Sequence, residues 1–190
     1  MRILVVTREG GEDTLPESIR HPGETMSKKT VYIETSIPSY LTARPSRDVR
    51  VAAWQQITGQ WWNEALADYD LFTSELVIAE ASDGNPEAAA RRLEALRGMT
   101  ELPVDKEVRW LAEQLMSKGG VPSTAQIDAL HIAVAAVHRI DYLLTWNFRH
   151  MDNATKKPII RSICTTVGYS CPEICTPMEL LPENPDHVRR

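Results

Sequence analysis

The sequence predicts an α/β protein with a mostly parallel central sheet covered by helices on both faces, and two observations support this. Short apolar runs that are typical of strands alternate with amphipathic helical segments from residue 30 onward. This alternation is the order expected of parallel strands joined by crossover helices. The chain has 190 residues, of which 43% are hydrophobic, and this is enough for one domain with a buried core.

Residue types at the ends of the helical segments support these assignments. Ser36 is the expected N-cap of the first helix, Ser46 or Asp48 of the second, and Ser74 of the third, because their side chains accept backbone N–H groups there. Pro86 suits the first position of the fourth helix. The predicted strands cover residues 30–35, 69–74, 100–104, 141–146 and 171–177, and the predicted helices cover 36–41, 51–67, 75–82, 86–98, 105–120, 123–139 and 156–168.

The two ends of the chain differ from the domain predicted at residues 29–182. Residues 1–28 are rich in Gly, Glu, Pro and Ser and indicate an extension without regular structure, apart from a short strand at 2–6. Met26 is an alternative natural start, which would make the first 25 residues an upstream extension. Residues 183–190 are expected to be a tail.

Composition narrows the class of function. The net charge of −5 argues against a protein that coats DNA or RNA through its charge, although an RNA enzyme remains compatible. No apolar run approaches the roughly 20 residues that cross a bilayer, and the first residues lack the apolar core of a signal peptide. We therefore expect a cytoplasmic protein without a membrane partner. The cysteines Cys164, Cys171 and Cys175 lack a second ligand pair for zinc, which favours buried thiols.

Four polar residues stand where a Rossmann-like sheet would place its active site: Glu34, Glu80, Asp128 and Asn147. Glu34 lies at the end of the first predicted strand and Asn147 just past the fourth, and ligands bind beyond the carboxyl ends of such strands. Three acids that converge on one point would repel one another unless a cation lay between them. Their oxygens suit a hard divalent metal, and such a metal suits phosphate chemistry.

Each of these residues also has an ordinary structural interpretation. The carboxylates of Glu34 and Asp128 would be favoured near helix N-termini, and Glu80 could be a solvated helix carboxylate. Asn147 is a common turn former, whereas Thr145 beside it could orient a neighbouring carboxylate. The chain lacks the glycine-rich loops of nucleotide-binding proteins and the G-x-S-x-G of serine hydrolases. A small-molecule or nucleotide binder is therefore disfavoured.

The motifs that carry these residues resemble the PIN domain of VapC-like toxins from type II toxin–antitoxin pairs. They are Glu34-Thr35-Ser36 after the first strand, Ser74 to Glu80, Asp128 to Ala135, and Thr145-Trp146-Asn147. The resemblance covers roughly residues 30–180 and implies a PIN-like sheet and a Mg²⁺- or Mn²⁺-dependent endoribonuclease, a toxin with a cognate antitoxin.

The resemblance also implies a role for each site residue. Glu34 and Asp128 would be the metal ligands, while Glu80 would act through water. Asn147 and Ser36 would position water or phosphate. Basic residues near these motifs could steer RNA phosphates, or they could belong to a solvated face. They are Arg44, Arg47, Arg50 and Arg149.

This chain departs from the usual PIN pattern at two positions. Glu34 and Asn147 stand where the pattern has Asp, which indicates a variant subgroup. Asn147 removes one negative charge, which should weaken metal binding, and Asp152 nearby could compensate. A catalytically weakened PIN-like module that binds RNA or protein is therefore the alternative function.

Two further groups of residues were assigned from the helix pattern. Adjacent Trp61 and Trp62 cannot face the same direction, so one of them could lie at a surface and form a homodimer or antitoxin contact; the alternative is two tryptophans buried differently in the core. His131 and His138 lack a third metal ligand and are interpreted as packed or surface histidines.

Overall fold

The sheet in the computed structural model, which describes residues 27–182, has five strands that all run parallel. They are β1 (Lys29–Ile33), β2 (Tyr69–Ser74), β3 (Thr100–Leu102), β4 (Tyr142–Leu144) and β5 (Glu173–Cys175). Their order across the sheet is β3-β2-β1-β4-β5. The predicted α/β class is confirmed. The strand predicted at 2–6 and the tail at 183–190 lie outside the described residues.

Burial of β1 explains why it occupies the centre of the sheet. Val31, Tyr32 and Ile33 are consecutive and all fully buried. Because consecutive strand residues point to opposite faces, both faces of the sheet must be covered, as the near-continuous apolar run of a parallel strand indicates. The two neighbours of β1 lie far apart in the sequence, since Val31 pairs with Leu71 of β2 and with Tyr142 of β4.

Seven α-helices connect the strands in the described part of the chain. They are α1 (Ser36–Thr42), α2 (Val49–Glu64), α3 (Glu75–Ala81), α4 (Pro86–Ala95), α5 (Lys106–Ser117), α6 (Gln126–Val137) and α7 (Lys157–Thr166). Short 3₁₀ helices follow at Leu66–Asp68 and Pro177–Leu180. The second of these lies where the sequence predicted the end of a strand and the start of a tail. A reciprocal capping box between Thr176 and Glu179 stabilises it.

The helix starts confirm most of the predicted caps. The Asp48 carboxylate accepts the backbone N–H groups of Arg50 and Val51, at 2.9 and 3.2 Å, so Asp48 rather than Ser46 caps α2. Ser74 Oγ accepts the N–H of Val77 at 3.3 Å and caps α3. The assignment of Ser36 as a cap was wrong, because the N-cap position of α1 is Thr35.

Helix α6 is the most buried helix of the fold. Every residue from 129 to 136 is buried, as expected for a helix that is apolar all round. The helix begins at Gln126, three residues later than the sequence predicted, and its first turn carries Asp128. The core therefore fixes the position of this carboxylate.

The sequence predicted that one of the adjacent residues Trp61 and Trp62 could lie at a surface, and the structure shows this only in part. Trp61 is fully buried, whereas Trp62 is half-buried and packs against the core, so the two side chains differ in burial as their adjacent positions require. A homodimer contact through Trp62 stays a prediction. Within residues 27–182, none of the helices is long and apolar enough to cross a bilayer.

Candidate functional site

The sheet order defines one crevice where a ligand site is expected. The strand sequence reverses direction between β1 and β4, and open parallel sheets bind ligands at such a reversal, beyond the carboxyl ends of the strands. Glu34 directly follows β1, and Asn147 lies three residues beyond β4. Both residues that the sequence predicted for this edge therefore flank the crevice. We call this side of the sheet the carboxyl edge, and the side where the strands begin the amino edge.

Glu34 is held by the first turn of α1. The residue is 4% exposed, and its Oε2 accepts the backbone N–H of Ser36 at 3.0 Å. The Ser36 hydroxyl donates to Glu34 Oε1 and accepts the N–H of Trp146 at 2.9 Å. Ser36 therefore links the end of β1 to the loop after β4. This use of its hydroxyl explains why Ser36 does not cap α1.

Glu80 is connected to the core by a chain of buried hydrogen bonds. Its Oε2 accepts the Thr35 hydroxyl at 2.5 Å and lies 2.9 Å from His131 Nε2. His131 Nδ1 lies 2.9 Å from the Tyr32 hydroxyl, which in turn lies 2.7 Å from Ser74 Oγ. Because an ionised carboxylate only accepts hydrogen bonds, Nε2 carries the proton toward Glu80.

This chain of bonds determines the charge state of Glu80. Burial raises the pKa of the Glu80 carboxyl, but the hydrogen bond and charge of His131, together with the Thr35 hydroxyl, outweigh burial and hold the pKa below its ordinary value. Burial raises the pKa of the Tyr32 hydroxyl, which therefore stays protonated. Glu80 is thus kept as a carboxylate at neutral pH.

Asp128 is held by two side chains of the loop after β4. Asn147 Nδ2 donates to Asp128 Oδ1 at 3.0 Å, and His150 Nδ1 lies 2.7 Å from Asp128 Oδ2. Asn147 Oδ1 accepts the backbone N–H of His150 at 3.1 Å, which fixes the orientation of the amide. The amide N–H, rather than the amide oxygen, therefore faces Asp128.

The remaining predicted residues lie around this loop. Thr145 is buried, and its hydroxyl accepts the backbone N–H of Asn147 at 2.9 Å, so it orients the loop rather than a carboxylate. Arg149 is exposed, as are the three arginines after α1. Asp152 forms an ion pair with Lys157 at 2.7 Å. Burial raises the pKa of Asp152, although Lys157 acts to lower it. Asp152 was predicted to compensate for the charge missing at Asn147, but in the structure it pairs with Lys157 instead.

The side-chain oxygens of the site are of the type that binds a hard divalent cation. Glu34, Glu80 and Asp128 offer carboxylate oxygens, which Mg²⁺ and Mn²⁺ prefer. Within residues 27–182 no Lys or Arg lies within ion-pair distance of these three acids, although a buried carboxylate is costly without a cation. The described residues nevertheless hold no preformed group of three or more His, Cys, Asp or Glu side chains for a metal. Two carboxylates would therefore coordinate the metal ion directly, and water oxygens would provide its other ligands.

Two functional residues were missed in the sequence. His150 contacts Asp128, and His131, which the sequence assigned to packing, contacts Glu80. A signal for His131 existed, because it lies three residues after Asp128 and shares its helix face. His150 lies in a loop without periodicity, so only its spacing of three residues from Asn147 could have indicated it.

Fold and site together define a class: a Rossmann-like parallel α/β protein with an acidic site at the strand-order reversal. The chain belongs to the PIN domain family, whose model matches residues 31–156. No curated protein matches the sequence. The family resemblance inferred from the four motifs is thereby confirmed, whereas the variant subgroup with Glu34 and Asn147 stays a prediction.

Solved structures with a similar fold include two toxin proteins. One is VapBC2 of Rickettsia felis bound to a promoter DNA fragment, with 12% identity and a TM-score of 0.47, covering 77% of this chain and 98% of that chain. The other is VapC20 of Mycobacterium tuberculosis, a sarcin–ricin loop cleaving toxin, with 15% identity and a TM-score of 0.47, covering 66% and 95%. At these identities and TM-scores the similarities carry no argument about function.

Proposed function

We propose that this protein is a Mg²⁺- or Mn²⁺-dependent endoribonuclease that cleaves RNA phosphodiesters as the toxin of a type II toxin–antitoxin pair. The observation that supports the proposal most strongly is that Glu34 directly follows β1 at the strand-order reversal of a PIN domain, where the adjacent Thr35 bonds Glu80. Phosphodiester hydrolysis needs negative charge to be stabilised on phosphate oxygens, and carboxylates can do this only by holding a cation.

Each residue has a defined task in this proposal. Glu34 and Asp128 would hold the metal, with Glu80 acting through water. The metal, when bound, supplies an activated water and stabilises charge on the phosphate oxygens. Ser36 fixes the rotamer of Glu34, while Asn147 and His150 fix that of Asp128. Such bonds orient ligands and are worth roughly 10- to 100-fold in affinity or activity. Arg149 is exposed beside the site and would contact RNA phosphates.

The direct test compares wild type with Asp128→Ala on a mixed RNA substrate in Mn²⁺. The expected result is that cleavage by Asp128→Ala falls by at least about 100-fold, because a ligand is worth more than the outer contacts that orient it. The variant should keep its cooperative thermal unfolding. Asp70→Ala is the matched control, since Asp70 is an exposed acid on β2. Equal cleavage by wild type and Asp128→Ala would refute the assignment.

A cognate antitoxin and a homodimer complete the proposal. A toxin that cleaves cellular RNA must be kept inactive by a partner, and the half-buried Trp62 is the proposed dimer contact. Co-expression with the product of a neighbouring short gene should yield a complex that purifies with this chain and suppresses cleavage. Light scattering of the purified chain reports its oligomeric state, and a monomer at micromolar concentration would contradict the dimer.

The second candidate function is a PIN-like module that binds RNA or protein without cleaving it. The specific observation in its favour is that each carboxylate already accepts protein hydrogen bonds, and that Asn147 places an amide N–H against Asp128. RNA binding with no cleavage at millimolar Mg²⁺ or Mn²⁺ would favour this function over the nuclease.

A further inference from the structure

An aromatic cluster lies directly beside the carboxyl edge. Its members are Tyr40 of α1, Trp54 of α2, and Trp146 and Phe148 of the loop after β4. Trp54 stacks on Trp146 with ring centroids 5.8 Å apart, and Phe148 lies 5.5 Å from Trp54 and 5.8 Å from Trp146. Tyr40 contacts both tryptophans, at 5.7 and 6.3 Å. Two aromatic rings, Trp54 and Trp146, therefore contact Phe148, and Tyr40 contacts both of them.

Phe148 is more exposed than the two rings that contact it. Trp146 is buried, whereas Phe148 is 40% exposed. Single exposed hydrophobic residues are common, but this one directly follows Asn147, whose amide binds Asp128. Ile127, which precedes Asp128, is 42% exposed as well. Two of the large exposed hydrophobic residues thus adjoin the same hydrogen-bonded pair in the site.

Three exposed arginines lie on the segments that carry or support this ring. Arg149 follows Phe148 and is exposed, and Arg44 and Arg47 are exposed in the loop before α2. Gln55, the neighbour of Trp54, anchors that loop by donating to Arg44 O at 2.9 Å and accepting the N–H of Ser46 at 2.9 Å. The turn of α2 that supports Phe148 therefore also holds the arginine-bearing loop. An exposed aromatic ring with an exposed arginine next to it in the sequence matches a ligand with flat bases and a phosphate backbone.

We infer that Phe148 is a stacking platform for an unpaired base of the RNA substrate, with Arg149 contacting the adjacent phosphate; this inference rests on the proposed function and deepens it by naming a residue that contacts a base. A base within a duplex already has both faces stacked, whereas an unpaired base offers a free face to an aromatic ring. The platform is rigid because Trp54 and Trp146 support it, so little freedom is lost when a base binds. It selects a single-stranded segment and places its backbone beside Glu34 and Asp128.

The test measures binding without cleavage. The full chain is titrated, in EDTA, with a labelled short oligoadenylate and with an abasic ribose-phosphate chain of equal length, and fluorescence anisotropy gives both dissociation constants. Phe148→Ala should bind the oligoadenylate roughly 5- to 100-fold more weakly, as expected for the loss of one base–aromatic stack, and should bind the abasic chain like wild type. Phe148→Trp should retain the binding of wild type.

Two control variants separate stacking from other effects. Arg149→Ala should weaken binding of both probes, because it removes a phosphate contact. Trp110→Ala removes an aromatic side chain of similar exposure, 43%, on α5 and should change neither dissociation constant. Thermal unfolding of every variant confirms that the domain is folded. Oligoadenylate binding by Phe148→Ala that equals that of wild type would overturn the inference.

Cleavage is scored separately so that the two proposals can fail independently. Base-dependent binding that requires Phe148, without cleavage in Mn²⁺, supports the platform and refutes the nuclease. Metal-dependent cleavage with unchanged oligoadenylate binding by Phe148→Ala refutes the platform and leaves the nuclease standing. A wild type that binds the abasic chain as tightly as the oligoadenylate also overturns the platform.

Discussion

The amino and carboxyl edges of the sheet differ in what lies opposite their carboxylates. At the amino edge, Lys29 Nζ lies 2.6 Å from Asp141, and Arg161 lies 2.8 Å from Glu173. The backbone N–H and hydroxyl of Thr30 both donate to Asp141 Oδ2 at 2.9 Å. At the carboxyl edge, the described contacts of Glu34, Glu80 and Asp128 come from hydroxyls, amides and histidines instead. Asp141 and Glu173 therefore have fixed cations, whereas Glu34, Glu80 and Asp128 have no Lys or Arg partner among residues 27–182.

This difference separates acids that tie elements of the fold together from acids that remain available to a cation. A carboxylate paired with Lys or Arg has its charge balanced by the chain itself, so it ties elements together and offers little to a ligand. Carboxylates that are oriented but not neutralised keep their capacity to bind a cation. Asp141 and Glu173 are thus paired with Lys29 and Arg161, whereas among residues 27–182 no Lys or Arg lies within ion-pair distance of Glu34, Glu80 or Asp128.

The largest expected effect concerns the hydrogen-bond chain behind Glu80. His131→Ala removes a buried ring that bonds Glu80 and Tyr32 and leaves both without that partner. The free energy of unfolding should fall by about 2–4 kcal/mol, measured by urea denaturation. The pKa of Glu80 should rise, since His131 lowers it. His138→Ala on the same helix is the control and should cost no more than about 0.5 kcal/mol. A similar loss in both variants would contradict a special role for His131.

A smaller effect is expected at the amino edge. Burial raises the pKa of Asp141, but the bonds from Lys29 and Thr30 outweigh it and hold the pKa below its ordinary value. Because the folded pKa is lower than the unfolded one, Asp141 stabilises the protein above the unfolded pKa, and this contribution is lost as the pH falls through the folded pKa. Asp141→Asn should therefore lower stability by about 1–2 kcal/mol at pH 7, and the two proteins should converge in acid. A constant difference across pH would disprove this.

The fold was predictable because local and global signals agree. Alternating strands and helices, the caps Asp48 and Ser74, and the start at Pro86 each follow from local chemistry, and burial of β1 follows from its apolar run. Glu34 and Asn147 were predictable as site residues from strand ends, and Glu80 and Asp128 from the helix motifs that carry them. The partners Ser36, His131 and His150 come together through tertiary contacts over long sequence separations, which residue spacing does not encode.

The smallest expected effect restores the usual acid of the family pattern. Asn147→Asp would replace an amide donor with a carboxylate that faces Asp128 Oδ1, where Nδ2 now lies at 3.0 Å. Without metal, repulsion between the two carboxylates should lower the free energy of unfolding by about 1 kcal/mol. Saturating Mn²⁺ should reverse this loss, because the new carboxylate would give the bound cation a third acidic ligand. Thermal unfolding in EDTA and in Mn²⁺ measures both states, and destabilisation that persists in Mn²⁺ would argue against a metal at this position.

The most direct test of the contrast between the two edges is thermal unfolding of wild type, Asp128→Asn and Asp141→Asn with and without Mn²⁺. The melting temperature of wild type should rise, by an amount that corresponds to about 2.7 kcal/mol at a hundred times the dissociation constant. Asp141→Asn should show the same rise from a lower starting point, whereas Asp128→Asn should show little or none. Equal rises in wild type and Asp128→Asn, or no rise in wild type, would contradict a cation site at the carboxyl edge.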